Sequence, residues 1–374
     1  MEEVLKKYFL CHLYDDYSGS PKVLSQCLNV LDENGIDNVV FIGSGSYGFI
    51  SDQALNIKRF FYRRSTYKIL TFFLYLVSQL SLFLKLSHAL IKEKKEKIVI
   101  VNTMLPFGAS LAGKLFADSV ILYSHEVSIS PEILKKVILY IHSKTISKSF
   151  FVSQYTKDML DSYLGYKPSS IIYNTLSEDY LNGHLLDERE LRKKWNAKKV
   201  VLLSSLKSYK GIPEFINLAS SLEKSGCSFL LVINDKQENG DSFFSEFILP
   251  SNLYILYRPE NIIDIYREAF LVVNLSRKNE WVETFGLTLI EGMSQYNPVI
   301  APVIGGPVEI VFNGFNGYLI DSSNAVDLIS CTHRLSQEYE HWKALAINAR
   351  HRAEKFNYNE YKNRIISELG VFTS

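Results

Sequence analysis

Apolar positions in the first half of the chain alternate between short runs and helical spacing. The run at 8–14 predicts a buried strand, and the spacing across 21–34 predicts a helix. Ser20 is a suitable N-cap for that helix, because a proline follows it in the first turn. Later runs predict further strands at 39–43, 98–102 and 120–124. Helical stretches separate these runs, as is typical of a parallel sheet.

The pattern is interrupted once and then restarts. Polar residues at 177–185 predict a linker, and 187–195 predicts the first helix of a second domain. Helical spacing returns at 212–224. Apolar runs predict the strands of this half, at 200–204, 229–233, 253–256, 271–275 and 299–301. Two successive layered patterns predict an α/β fold with two Rossmann-like domains facing each other across a cleft.

The length and composition agree with two domains. A chain of 374 residues suits two domains of about 150–200 residues each. We expect an N-terminal domain at 1–180, a C-terminal domain at 181–355, and a helix at 356–374 that returns toward the N-terminal domain. Apolar residues make up 47% of the chain, which excludes global disorder. The net charge of +1 argues against a nucleic-acid partner.

Cysteine usage and the N-terminus indicate a reduced, cytoplasmic compartment. The four cysteines are scattered and form no Cys-x-x-Cys pair, so they predict neither a zinc site nor a redox motif. Two acidic residues near the N-terminus and the lack of a small-residue cleavage site argue against a secretory signal.

The most informative motif is a pair of glutamates, Glu283 and Glu291, on either side of Phe285-Gly286. Gly286 allows a tight turn into a helix that begins near Leu287. The free amides at a helix start favour an anion through hydrogen bonds and the helix dipole. Glu291 lies about 5.4 Å further along by helix rise. This is roughly the step from a diphosphate to ribose hydroxyls, for which a carboxylate is a good partner.

Two further loops extend this motif. Gly305-Gly306 follows the predicted strand at 299–301, and Glu309 after it either contacts a ligand or caps a helix. Lys210 lies between a predicted strand and a predicted helix. It therefore belongs to the carboxyl edge of the sheet, where open α/β sheets bind ligands, and its charge suits a diphosphate.

Together these motifs resemble the nucleotide-sugar site of retaining glycosyltransferases with the GT-B fold, specifically glycosyltransferase family 4, the group 1 type. That family has Glu-x-Phe-Gly, a second glutamate, a Pro-Val-Ile strand and a Gly-Gly-x-x-Glu loop, preceded by a Lys-Gly turn. The resemblance is specific in the second half of the chain and weaker in the first. The segments that carry it are 120–126, 171–174, 205–211, 283–309 and 313–320.

The resemblance implies a role for each matching residue. Glu291 would hold the ribose, Glu283 would contact hydroxyls of the donor sugar, and Lys210 would neutralise charge on the leaving diphosphate. His125 would reach the donor sugar from the N-terminal domain, although a histidine after a strand is often structural. The other residues implied on the nucleotide side are Phe285, Gly286, Leu287, Thr288 and Gly19.

The chain departs from the family pattern in two loops. The arginine usually found five residues before the lysine is Ser205 here, so Lys207 and Arg277 are candidates to supply that charge. The usual N-terminal Gly-Gly is Ser18-Gly19, where the glycine either approaches a ligand or only permits a turn.

A carboxylate pair precedes that loop. Asp15 and Asp16 resemble a metal-binding pair, but we assign both, with Tyr17, to the acceptor side of the site. No metal and no cofactor is expected, because the nucleotide-sugar is a co-substrate.

An apolar stretch at 69–84 contains no charged residue and predicts a helix that is apolar on nearly all sides. It is shorter than the ~20 residues needed to span a bilayer. Basic residues precede it with no acidic residue among them: Lys58, Arg59, Arg63, Arg64 and Lys68. The stretch is either a buried helix with a solvated basic entry or part of a surface that lies on an anionic membrane.

These features lead to one expectation and two alternatives. We expect a retaining, metal-independent hexosyltransferase that uses a UDP- or GDP-sugar and a glycan or lipid-linked glycan acceptor. Its setting would be bacterial O-antigen or capsule assembly, in the cytoplasm and peripheral on the inner face of the cell membrane. The alternatives are a sugar-nucleotide 2-epimerase of the same fold and a catalytically silent partner in polysaccharide assembly.

Overall fold

The computed structural model describes residues 5–183 and 185–370. Residues 1–4, on which the argument against a secretory signal depends, lie outside the described residues. So do His184 of the predicted linker and residues 371–374 of the predicted C-terminal helix. The chain groups into two compact units. Unit 1 comprises Met1–Tyr173 and Tyr361–Ser374, and unit 2 comprises Asn174–Glu360.

Unit 1 is built on a seven-stranded parallel sheet. Its strands are β1 (Lys6–His12), β2 (Asn38–Gly43), β3 (Ile57–Phe60), β4 (Glu96–Asn102), β5 (Ser119–Ser124), β6 (Lys148–Phe151) and β7 (Ser169–Ile171). Its helices are α1 (Gly19–Glu33), α2 (Phe49–Gln53), α3 (Lys68–Lys92), α4 (Phe107–Phe116), α5 (Glu132–Thr145) and α6 (Gln154–Leu160). The strand order is β3-β2-β1-β4-β5-β6-β7, so the direction of growth reverses between β1 and β4.

Unit 2 is built on a six-stranded parallel sheet. Its strands are β8 (Lys199–Ser204), β9 (Ser228–Ile233), β10 (Leu253–Tyr257), β11 (Leu271–Val273), β12 (Val299–Ala301) and β13 (Gly317–Leu319). Its helices are α7 (Glu188–Ala197), α8 (Ile212–Ser221), α9 (Gln237–Phe244), α10 (Ile262–Glu268), α11 (Leu287–Ser294), α12 (Pro307–Ile310), α13 (Ala325–Gln337) and α14 (Tyr339–Ala353). The order is β10-β9-β8-β11-β12-β13, with its reversal between β8 and β11. The predicted α/β fold of two Rossmann-like domains is confirmed.

The last helix, α15 (Tyr358–Leu369), is attached to unit 1 by charges and hydrogen bonds. Lys362 pairs with Glu33 of α1 at 2.7 Å, and Lys148 of β6 pairs with Glu368 at 2.6 Å. Most of α15 therefore belongs to the first unit. The grouping places the unit boundaries at 173/174 and 360/361, a few residues from the predicted 180/181 and 355/356.

Helix α7 begins where the sequence predicts it. Asp187 accepts a hydrogen bond from the Glu190 amide, and the Glu190 side chain accepts one from the Asp187 amide. This reciprocal capping box satisfies two amides that the first turn would otherwise leave unpaired. Four strands were missed by the prediction, namely β3, β6, β7 and β13. Each has three or four residues, of which at most two are apolar, whereas the equally short β11 and β12 are apolar throughout.

Helix α3 is longer than the stretch predicted. It runs on past Lys85 to Lys92 and has 25 residues. By length and composition it could cross a membrane, which the shorter prediction had excluded. Only 28% of its most apolar 18-residue stretch is buried. The helix is therefore not the buried core helix that one of the two alternatives required.

The core of unit 2 supports the strand that leads to the candidate site. Trp342 of α14 is fully buried, and its ring stacks on Phe270 with centroids 6.1 Å apart. Its Nε1 also donates to the Phe270 carbonyl at 2.7 Å. Phe270 immediately precedes β11, so this contact fixes the start of the strand.

The turn from β8 into α8 depends on a glycine. Gly211 has φ +85°, in the left-handed region that favours glycine. A Cβ on this residue would lie 2.3 Å from the Leu275 carbonyl oxygen, so the turn packs directly on the chain that leaves β11. Gly226 has a similar φ of +79°, but a Cβ on it would meet no atom within 4 Å.

We therefore expect Gly211→Ala to destabilise the protein far more than Gly226→Ala. The Gly226 variant carries only the left-handed backbone cost, about 1 kcal/mol, whereas the Gly211 variant adds a backbone clash and should lose roughly 3 kcal/mol or more. Urea denaturation of both variants measures the difference. Equal losses of unfolding free energy in the two variants would show that the turn at Gly211 is not closely packed.

Candidate functional site

The candidate site of unit 2 lies at the carboxyl edge of its sheet, at the point where the strand order reverses. Lys210 follows β8, and Asn274 and Glu283 follow its neighbour β11. Ligands of open α/β sheets bind in the crevice at such a reversal. The sequence predicted Lys210 and Glu283 on this edge but did not identify Asn274.

An ion pair joins the two loops at this reversal. Lys210 Nζ lies 2.9 Å from Glu283 Oε2, and Asn274 Nδ2 donates to the same oxygen at 3.3 Å. The Lys210 ammonium also lies 5.4 Å from the ring centroid of Trp281, which stacks on Tyr209. The exposed fractions of the Lys210 and Glu283 side chains are 22% and 19%, so a ligand can still reach them.

The charge on Glu283 is maintained by this partner. Burial favours the neutral acid, but the charge and hydrogen bond of Lys210, with the Asn274 amide, outweigh burial and lower the pKa of Glu283. Glu283 is therefore an ionised hydrogen-bond acceptor at neutral pH, not a general acid.

Two glycines hold the Glu283 loop against the loop after β12. The Gly306 amide donates to the Glu283 carbonyl at 2.9 Å. A Cβ on Gly305 would lie 2.2 Å from that same carbonyl oxygen, and one on Gly306 would lie 2.2 Å from the Thr284 carbonyl oxygen. Only glycine permits this approach, which explains the Gly305-Gly306 pair in the sequence.

The predicted turn into α11 is present. Gly286 has φ +107°, and α11 begins at Leu287. Phe285 before it is buried, and its ring meets Phe356 edge-on at 5.7 Å. With Phe285 fixed in the core, the amides of Leu287 and Thr288 open a helix, a position that favours an anion.

Glu291 is held by a tyrosine that sequence reasoning missed. Glu291 is buried, with 6% of its surface exposed, and Tyr266 of α10 donates to its Oε2 at 3.0 Å. Tyr266 is fully buried, so the hydroxyl has a fixed position. The predicted ribose contact is untested, and the structure adds Tyr266 as the residue that orients this carboxylate.

The candidates for the missing arginine differ in their surroundings. Arg277 pairs with Glu214 at 2.6 Å and with Glu280 at 3.0 Å, so two carboxylates already offset its charge. Ser205 and Lys207 are exposed in the turn before Lys210, where the Lys207 amide donates to the Ser205 carbonyl at 2.7 Å. Of the two basic candidates, Lys207 is the better placed to meet a phosphate.

Unit 1 has a polar network at the reversal of its own sheet. His12 ends β1 and Asn102 ends the neighbouring β4, and His125 follows β5. Asn102 Nδ2 lies 3.0 Å from His12 Nδ1 and 3.2 Å from the Ser20 carbonyl oxygen. Asn102 Oδ1 lies 2.7 Å from His125 Nε2. The sequence singled out His125 but not Asn102, because the partners are 23 and 90 residues apart.

The hydrogen bonds of Asn102 fix the tautomer of His125. The Ser20 carbonyl can only accept, so Asn102 Nδ2 faces it. His12 Nδ1 lies between two groups of Asn102, 3.0 Å from Nδ2 and 3.3 Å from the backbone carbonyl oxygen. Asn102 Oδ1 must then accept from His125 Nε2. Burial, reinforced by His12 nearby, lowers the pKa of His125 to about 3, and burial also lowers the pKa of His12. Both rings are therefore neutral at physiological pH.

The carboxylates near the start of α1 have separate roles. Asp15 is buried, and it accepts from the Ile50 amide at 3.1 Å and the Ser51 amide at 2.8 Å. It thus caps α2, and its assignment to the acceptor side stays a prediction. Asp16 accepts from the Ser18 amide at 3.0 Å.

Tyr17 and Gly19 lie beside these carboxylates on the surface. Tyr17 is half exposed and donates to Asp52 at 3.1 Å. Gly19 is exposed as the first residue of α1. The acceptor-side assignment of Asp16 and Tyr17 likewise stays a prediction. Within 5–183 and 185–370, no three His, Cys, Asp or Glu side chains are grouped as a metal site requires.

Comparison with known proteins agrees with this geometry. Residues 186–352 match the profile of the family described as Glycosyl transferases group 1. An uncharacterised glycosyltransferase of Methanocaldococcus jannaschii, MJ1178, is 25% identical over 260 residues, which is 68% of each chain. A sucrose synthase of Denitrovibrio acetiphilus is 35% identical over 95 residues, which is 24% of this chain and only 12% of that protein.

A solved structure extends the likeness to both units. The Anabaena protein Alr3699/HepE, in complex with UDP-glucose, has a TM-score of 0.76 at 18% identity and covers 98% of this chain and 100% of its own. The GT-B fold is therefore confirmed. The residues that match the group 1 glycosyltransferase profile, 186–352, include Lys210, Glu283 and Glu291.

The network in unit 1 leads to a prediction for Asn102→Asp. In the wild type, His125 should not titrate between pH 5 and 8, because burial keeps its pKa near 3. A carboxylate at position 102 would stabilise the protonated ring and raise that pKa toward this range. NMR titration of the imidazole signals measures it, with buried His142 as the internal control. A wild-type His125 that titrates near pH 6.5 would contradict the network.

Proposed function

We propose that the chain is a retaining, metal-independent glycosyltransferase of family 4. It transfers a hexose-type sugar from a UDP- or GDP-sugar to a glycan or lipid-linked glycan. The observation that carries this proposal is the Lys210–Glu283 pair at the reversal of the unit 2 sheet. A cation, a carboxylate and the start of α11 lie together there, and these are the groups that a diphosphate-linked sugar requires.

The donor would lie along the first turns of α11. The diphosphate contacts the amides of Leu287 and Thr288, with Lys207 and Lys210 offsetting its charge. The ribose hydroxyls donate to Glu291, which Tyr266 orients. The UDP-glucose complex of the similarly folded HepE supports UDP-glucose as the first donor to test.

The reaction would proceed by substitution on one face of the sugar. The bond between the anomeric carbon and the diphosphate oxygen breaks, and an acceptor hydroxyl oxygen bonds to that carbon from the same face. The leaving phosphate takes the acceptor proton. As negative charge develops on the diphosphate, the Lys210 ammonium leaves Glu283 and pairs with the diphosphate. Glu283 then accepts hydrogen bonds from sugar hydroxyls instead. Electrostatic stabilisation of this kind is a large catalytic term and needs no metal.

Unit 1 would recognise neutral hydroxyl groups. His125 is neutral, so it can hydrogen-bond a sugar without adding charge. Asp15, Asp16 and Tyr17 lie just before the exposed start of α1, and we assign them to the acceptor side. Gly19, the first residue of α1, stays assigned to the nucleotide side.

We place the enzyme in the cytoplasm, peripheral on the inner face of the cell membrane, in assembly of a bacterial surface polysaccharide such as O-antigen or capsule. The support is the basic run before α3. All five residues of this basic run are exposed: Lys58, Arg59, Arg63, Arg64 and Lys68. An anionic leaflet attracts such a cluster by about 1 kcal/mol per basic residue.

Substitution of the ion pair tests the catalytic proposal. Lys210→Ala and Glu283→Ala should each lower kcat for sugar transfer by about 10²–10³-fold, since each removes a group that acts on the developing charge or the sugar. The double variant Lys210→Ala/Glu283→Ala leaves no unpaired buried charge and should retain its fold by circular dichroism. Lys224→Ala, in the exposed turn between α8 and β9 at the opposite sheet edge, is the matched control.

The products decide between the proposal and its alternatives. Transfer should require an acceptor, and the new linkage should keep the anomeric configuration of the donor by proton NMR. Near-normal turnover of either single variant would exclude the assigned roles. An epimerised nucleotide-sugar formed without acceptor would indicate a 2-epimerase, and no reaction with any donor would favour a silent partner.

A further inference from the structure

Helix α3 presents an apolar surface to solvent. Its most exposed side chains include Ile69 at 75%, Phe73 at 60% and Leu80 at 58%. We call the exposed apolar residues of this helix the outer face: Ile69, Leu70, Phe72, Phe73, Leu76, Val77, Leu80, Leu84 and Ile91. An ordinary surface helix directs its apolar stripe inward and its polar residues outward. In α3, the polar residues Ser78 and Gln79 are buried instead.

The opposite side of α3 is fixed against unit 1. Tyr75 donates to the Leu105 carbonyl at 2.7 Å, and the Gln79 side chain accepts from the Gly108 amide at 3.0 Å. A Cβ on Gly108 would lie 2.3 Å from the Gln79 carbonyl oxygen, so α3 and α4 are in backbone contact. To span a bilayer, α3 would have to give up these contacts. It is therefore suited to lie on a membrane with only the outer face covered.

The charged residues within α3 are all lysines, and Glu93, which follows the helix, pairs with Lys7 at 3.1 Å. The helix contains no acidic residue, and lysines lie at both of its ends, Lys68 and Lys92. Lys85 donates to the Arg59 carbonyl at 2.6 Å, which joins the helix to the basic run that precedes it. An apolar face with a basic border is the pattern of helices that lie in the interface of anionic membranes.

We propose that the outer face inserts into the headgroup–acyl boundary of an anionic bilayer, with α3 parallel to the membrane plane. This inference deepens the peripheral location proposed above and rests on it. The basic run would attract the protein to the leaflet, and the outer face would retain it there. Insertion of this kind buries an apolar helix face roughly 5–10 Å below the headgroup surface.

A second copy of the chain is the other candidate to cover the outer face. Symmetric pairing would place two acid-free helices and their basic borders next to each other. Like charges brought together in an interface oppose association. The bilayer is therefore the favoured occupant, because its anionic headgroups complement the same charges.

Vesicle flotation of the full chain tests insertion. We expect binding to phosphatidylcholine vesicles that contain phosphatidylglycerol, and part of it should survive high salt, which screens the basic run. Phe73→Ser/Leu80→Ser should lower the partition coefficient about tenfold or more and remove the salt-resistant part. Ile248→Ser/Leu185→Ser removes two exposed apolar residues of unit 2 and should change nothing. A variant with serine in place of all five residues of the basic run should lose mainly the salt-sensitive part of vesicle binding.

A depth measurement separates insertion from surface contact. The three native tryptophans lie in unit 2, so Phe73→Trp adds a reporter on α3. Brominated acyl chains should quench this reporter but not one introduced as Tyr254→Trp, which is an exposed position of unit 2.

The other outcomes would overturn the inference in distinguishable ways. If the Phe73→Ser/Leu80→Ser variant floats as the wild type does and only the basic-residue variant loses binding, insertion is contradicted and the peripheral location is supported. If the wild type does not float with the vesicles, both insertion and the peripheral location are contradicted. A dimer in light scattering that Phe73→Ser/Leu80→Ser dissociates would identify a second copy as the occupant. None of these readouts depends on sugar transfer.

Discussion

The ion pair between Lys210 and Glu283 is the constraint around which the site of unit 2 is arranged. A carboxylate largely removed from water needs a compensating charge, and Lys210 supplies it across 73 residues of sequence. The pair ties the turn after β8 to the loop after β11. Gly306 holds the other side of that loop through its amide. The loop thus keeps its position even if a ligand replaces one partner of the pair, as the proposed mechanism requires.

The two units use the same place in the sheet for different chemistry. In each, polar side chains lie where the strand order reverses. Unit 2 places opposite charges there, which can be redistributed when a charged diphosphate binds. Unit 1 places His12, Asn102 and His125 there, and burial keeps both rings neutral. That difference fits a division between a charged nucleotide and neutral hydroxyl groups.

The sequence predicted what local signals determine. Glycine and helix-start patterns located the Gly286 turn and α11, and continuous apolar runs located the strands that are mostly apolar. Residues that act through distant partners were missed, such as Asn102 and Tyr266, because no spacing links them to His125 and Glu291. The sequence also did not predict that one side of α3 is exposed. A helix that is apolar on nearly all sides has no periodicity to show which side faces the protein.

In the proposed mechanism the nucleotide-sugar binds along the Gly286 turn of unit 2. Hydrogen–deuterium exchange with and without a saturating UDP-sugar measures this directly on the whole chain. We expect slower amide exchange at 205–211 and 283–291, where the two loops and α11 would contact the donor. Bound donor with unchanged exchange in both segments, or protection confined to other parts of the chain, would contradict this mechanism.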